Sequence, residues 1–158
     1  MQKEINLEKV RRDAERAYLE GGLYDAEAVV FSIRNNVEPA MPEAIVTAAL
    51  GFSNGISGSK CMVGAVAGGV IVLGYFFGRD FPTTPTDPKS QRTLILANEL
   101  QEDFKKNHKV LCSHVHEKGL ATGSQEHKNQ LASFAGEVAQ KTAEIIAREY
   151  SLAIISSI

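Results

Sequence analysis

The residues best suited to chemistry in this 158-residue chain are its two cysteines. Cys61 follows the loop GFSNGISGSK (residues 51–60) and opens an uncharged run that lasts to Gly78. Where a loop enters a helix, unpaired backbone N–H groups favour negative charge, so a thiolate at that point is stabilised. Lys60, next to it, acts in the same direction. The competing reading makes Cys61 a small buried hydrophobe, as most free cysteines are. Cys112 heads the run Cys112-Ser113-His114-Val115-His116. If that run is extended, Cys112, His114 and His116 point to one side. Thiolate and imidazole are good ligands for zinc or iron, and a site needs three or four of them. The plainer alternative is a polar surface connection. If the two cysteines approach each other, the thiolate at the helix start attacks and the other resolves.

Several classes of function are disfavoured by what the chain lacks. The loop before Cys61 has the glycines of a phosphate-binding loop but not the GxxxxGK[ST] spacing, and a cysteine follows Lys60, so nucleotide binding is not expected. No CxxC or CxxCH occurs, and two cysteines cannot build a disulfide framework. Seventeen basic residues stand against nineteen acidic ones, a net charge of −2, which gives no pull toward nucleic acid. The opening residues MQKEINLEKVRRDAER lack the apolar core of a signal peptide, and a cytoplasmic, reducing location is the default expectation.

The elements that must hold these residues read as helices. Leu7, Val10, Ala14 and Ala17 recur at helical spacing and Gly21-Gly22 ends that segment. Asp25 can cap a second helix, with Ala26, Val29, Val30 and Ile33 inward. Pro42 suits the first position of a short third one. Asp87-Pro88 reads as a cap and first residue of a helix carrying Leu94, Ala97, Leu100 and Phe104. Residues 109–116 fit either a short extended piece or a helical turn. Ser124 can cap a long last helix with Leu131, Phe134, Ala135, Val138, Thr142, Ile145 and Ile146 inward. Strand signals are nearly absent. The expectation is a single all-α domain over residues 1–158, with five to seven helices around the apolar stretch 61–78.

That stretch sets a choice. Its eighteen residues are at the lower edge of what crosses a bilayer, where about 20 are usual. Its glycines lower its hydrophobicity, and the amphipathic neighbours need something apolar to cover. A buried central helix is therefore expected in preference to a membrane span. Gly64 and Gly68 then let a neighbouring helix come close, at a cost of about 1 kcal/mol each in helix propensity.

Three stretches together resemble a redox-active family named for its cysteine pattern, C_GCAxxG_C_C. Tyr24–Val30 (YDAEAVV) is similar to a family segment read as NCAEAVL. Val63–Arg79 (VGAVAGGVIVLGYFFGR) is similar to the family's CGAxxGG…LG…GR core. Cys112 follows a phenylalanine-bearing helix, as a later family cysteine does. The chain also departs from the pattern. Asp25 stands where the first family cysteine belongs and Val63 where one precedes Gly-Ala, with Cys61 two positions earlier. His127 stands near the place of the last. A cluster of four thiolates is thus excluded. What the resemblance implies instead is a mixed zinc or iron site of Asp25, Cys61, Cys112 and one of His114, His116 or His127, or loss of the site. Related domains occur in split-Soret c-type cytochromes, which implies a haem or electron-transfer association. Two functions follow as expectations. One is a thiol-redox or metal-binding protein using Cys61 and Cys112 with a redox partner protein. The other is a non-catalytic helical interaction module that forms a homodimer through its glycine-rich helix.

Overall fold

A computed structural model describes residues 1–156. The first helix, α1 (Leu7–Leu19), is capped by the Asn6 side chain, which accepts from the Lys9 N–H. It is followed by α2 (Asp25–Asn36), the short α3 (Glu43–Ala48), and two 3₁₀ turns at Leu50–Phe52 and Ile56–Gly58. Then come α4 (Gly64–Phe77), α5 (Pro88–His108), the single turn α6 (Ser113–His116) and the long α7 (Gln125–Tyr150). Asp87 and Ser124 cap α5 and α7 by accepting from the N–H groups of Ser90 and His127. These side chains satisfy donors that the helix itself leaves unpaired. The all-α expectation holds, with one small addition. Glu4–Ile5 (β1) and Ala153–Ile154 (β2) pair in parallel, Glu4 opposite Ala153 and Ile5 opposite Ile154. Two residues per strand carry no readable alternation, which is why the pattern of side chains gave no sign of them.

The apolar stretch is central, as expected. Helix α4 packs on α2, α5 and α7, while α1 lies along α2 and α7. Gly64 to Gly69, Val72 and Leu73 are buried. Full burial of a side chain such as Leu73 contributes about 1.5–3 kcal/mol. The opposite side is more open, with Tyr75 exposed and Val70 and Ile71 half-buried. Among the described residues no helix is long and apolar enough to cross a membrane. The small face of α4 is occupied within the chain: a Cβ on Gly68 would lie 2.5 Å from the Ala26 carbonyl oxygen of α2. A homodimer would therefore need a different surface.

One boundary differs from the expectation. The central helix begins at Gly64, not at Cys61. Val63 is extended (φ −52°, ψ 120°), and its N–H donates to the Leu111 carbonyl at 2.7 Å. That bond ties residues 61–63 to the segment before α6 and holds Cys61 three residues short of the helix. The helix therefore starts three residues past Cys61.

Gly68 yields a direct test. Gly68→Ala improves helix propensity by about 1 kcal/mol, but its methyl group meets backbone that cannot move aside cheaply. A net loss of about 1–3 kcal/mol is expected from overpacking, read as a lower midpoint in urea. Unchanged or greater stability would mean that α2 and α4 can separate freely.

Candidate functional site

Cys61 and Cys112, 51 positions apart in sequence, meet in space with their Sγ atoms 3.0 Å apart. A disulfide bond is about 2.05 Å long, so a closure of about 1 Å would join them. Both are free thiols; Cys61 is exposed and Cys112 half-buried. Cys112 sits immediately before α6. The Cys112 thiol is pushed above its ordinary value, first by its hydrogen bond with Cys61, then by desolvation and the Cys61 charge. Either sulfur can be the donor of that hydrogen bond.

The meeting does not depend on the sulfur atoms alone. The Lys60 carbonyl accepts from the Ser113 hydroxyl at 3.0 Å and from the His114 N–H at 3.4 Å. Ser113 is fully buried. Ser59 braces the residue itself, its hydroxyl donating to the Cys61 carbonyl at 2.9 Å. On the far side of α6, Glu117 makes an ion pair with Lys60 at 2.8 Å. Ser113, Glu117 and the Val63–Leu111 bond escaped the sequence reading. Their partners lie about fifty residues away in the chain, and no local spacing encodes such contacts.

The other candidate ligands stay apart from the pair. Ser113–His116 is a helical turn, the second of the two alternatives for that run, so Cys112, His114 and His116 do not line one side. His114 is exposed, while the His116 Nε2 donates to the Val110 carbonyl at 2.9 Å. The His116 ring packs among Phe104, His108 and Phe134. His127 is buried, its Nδ1 accepting from the Gly123 N–H at 3.1 Å and its Nε2 lying 3.2 Å from Glu117. Among the described residues no three His, Cys, Asp or Glu side chains form a group that could hold a metal ion. Two thiols supply half of a tetrahedral zinc or iron site, and as arranged the remaining ligands are not brought to them.

Asp25 has a different part. It is fully buried at the start of α2, and its Oδ1 accepts from the N–H groups of Ala26 and Asn54, each at 3.0 Å. Its other oxygen, Oδ2, is buried without a hydrogen-bond partner. Helix α4 has no capping side chain of its own, and the Asp25 carboxyl group lies against its first turn at Gly64. Space for this contact comes from Gly64, where a Cβ would lie 2.6 Å from both Asp25 oxygens. Burial raises the Asp25 pKa, and the surrounding backbone N–H groups offset that only in part.

With this geometry in view, one comparison is decisive. Residues 24–145 match the family model described as "Putative redox-active protein (C_GCAxxG_C_C)". The chain belongs to this family. No curated protein and no solved structure matches it. As a family member it keeps the glycine core of α4, and at position 25 it carries a carboxylate that ties the start of α2 to the loop at Asn54.

The tie can be measured. Asp25→Ala leaves the N–H groups of Ala26 and Asn54 without their acceptor and is expected to cost about 2–4 kcal/mol. Asp25→Asn keeps an acceptor oxygen and should cost less. The raised pKa sets the sign of the pH effect. The folded protein binds the Asp25 proton more tightly than the unfolded chain does. That contribution is complete below the ordinary carboxylate pKa and is lost as pH rises through the elevated one. Urea unfolding of both proteins across this range should show wild type losing ground to Asp25→Asn as pH increases. A constant difference would contradict the assigned direction.

Proposed function

We propose that this protein is a dithiol–disulfide redox protein, with Cys61 as the attacking sulfur and Cys112 as the resolving one. The 3.0 Å approach of the chain's two cysteines carries this reading. Cys61 is the more exposed of the two, so an incoming disulfide reaches it first. Its thiolate attacks one sulfur of that disulfide. A new S–S bond forms, the substrate's S–S bond breaks, and one thiolate leaves and takes a proton from water. In the mixed disulfide Cys61 is no longer a thiol. Its hydrogen bond and its charge then no longer raise the Cys112 pKa, and Cys112 ionises more readily. Its thiolate attacks the Cys61 sulfur and expels the second thiol of the substrate. Two electrons pass from the protein to the substrate, and a reductant of the same thiol class resets the pair in the opposite direction. In a reducing cytoplasm the resting form is the dithiol. The partner is a protein or small-molecule disulfide.

The test is trapping. In Cys112→Ser, treatment with glutathione disulfide should leave a stable glutathione adduct on Cys61, seen by mass spectrometry. Wild type under the same conditions should lose both free thiols and hold no glutathione. Cys61→Ser should react much more slowly. Wild-type protein that ends with glutathione on both cysteines and no internal disulfide would sink the proposal. The internal disulfide closes a loop of about fifty residues, so the oxidised form should also resist urea by about 2–4 kcal/mol more than the reduced one.

A further inference from the structure

We propose that Glu117 is a positioning residue for the pair: buried beside His127, it pairs with Lys60 and so fixes Cys61 against Cys112. This rests on the dithiol reading above. Three observations support it, and none involves the sulfur atoms.

The first is burial. The Glu117 side chain is only 7% exposed, and a carboxylate that is almost buried needs strong partners to remain charged. It has two. Lys60 Nζ lies 2.8 Å from one oxygen, and His127 Nε2 lies 3.2 Å from the other. The second observation concerns His127, whose side chain is 10% exposed. Its Nδ1 accepts from the Gly123 backbone, which leaves the Nε2 edge of the ring 3.2 Å from Glu117 without a hydrogen bond to it. The ring is thus fixed beside the carboxylate. Burial works against the Glu117 charge, yet Lys60 and His127 outweigh it and hold the carboxyl below its ordinary range.

The third observation is where the grip acts. Lys60 directly precedes Cys61. It is held by its side chain at Glu117, just after α6, and by its carbonyl at Ser113 and His114, within α6. Cys112 flanks the same turn on its other side. Lys60 and Cys61 therefore straddle α6, with one grip at each end of a single helical turn. Loosening the Glu117 end lets the loop swing and lowers the local concentration of one sulfur around the other.

Glutathione redox titration of the full-length protein tests this. Wild type, Glu117→Gln and Lys60→Met are equilibrated across ratios of glutathione to its disulfide, and the oxidised fraction is counted by alkylation and mass spectrometry. Each substitution should lower the equilibrium constant for disulfide formation roughly tenfold, the scale of one charge-assisted contact. The double variant should be no worse than either single, since both remove one contact. Lys60→Arg, which keeps the charge, should recover most of the loss. A role confined to stability would weaken the reduced and oxidised forms alike and leave the constant unmoved. If Glu117→Gln does not fold, Lys60→Met carries the test, because the Lys60 side chain is 41% exposed. Folded variants within twofold of wild type overturn the inference while the dithiol reading stands. Wild type that forms no internal disulfide at any ratio overturns both.

Discussion

The close approach of α4 to α2 is the constraint on which the rest of the structure depends. Backbone meets backbone at Gly68, where the Ala26 carbonyl occupies the space a side chain would need. One turn earlier, Gly64 leaves room for the Asp25 carboxyl group. Because the helices are this close, a single buried side chain can reach the first turns of both and the Asn54 N–H of the intervening loop. Asp25 therefore fixes one end of the loop that leads to Cys61. The Val63–Leu111 bond fixes the other end. Both sulfur positions follow from a packing distance set by residues without side chains.

The sequence conveys the helical elements well because amphipathic spacing and capping residues are local signals. Asn6, Asp87 and Ser124 act as caps, and Gly64, Gly68 and Gly69 of α4 face neighbouring helices. Cys61 shows where local reading stops. A glycine-rich loop ahead of an apolar run looks like a helix beginning at the cysteine. The boundary was moved by a hydrogen bond to Leu111, forty-eight positions after Val63, that no window of sequence contains. The candidate site divides in the same way. The cysteines could be singled out by residue type, but their proximity, and the parts of Ser113 and Glu117, arise from tertiary contacts. Asp25 is instructive in another sense. Its position in the family pattern points to ligand chemistry, whereas it accepts from two backbone N–H groups, which a carboxylate satisfies.

These features describe a site whose rigidity is distributed. The loop bearing Cys61 is held by backbone bonds, by a buried hydroxyl and by an ion pair, each from a different residue. A dithiol braced in this way pays little of the ordering entropy that closing a long loop normally demands. Joining the sulfurs would then need little movement of the backbone that carries them.

Between α4 and α5 the chain runs through residues 79–86, all of them exposed and three of them proline or phenylalanine at Phe81, Pro82 and Pro85. This segment lies inside the span from Cys61 to Cys112. A single cut in it, in the dithiol state, leaves two polypeptides held by packing alone. In the disulfide state the same cut leaves one covalent molecule. The oxidation state is thus also a matter of covalent topology: joining the sulfurs turns α4 and α5 into a ring, and a break in that ring's exposed arc no longer divides the protein.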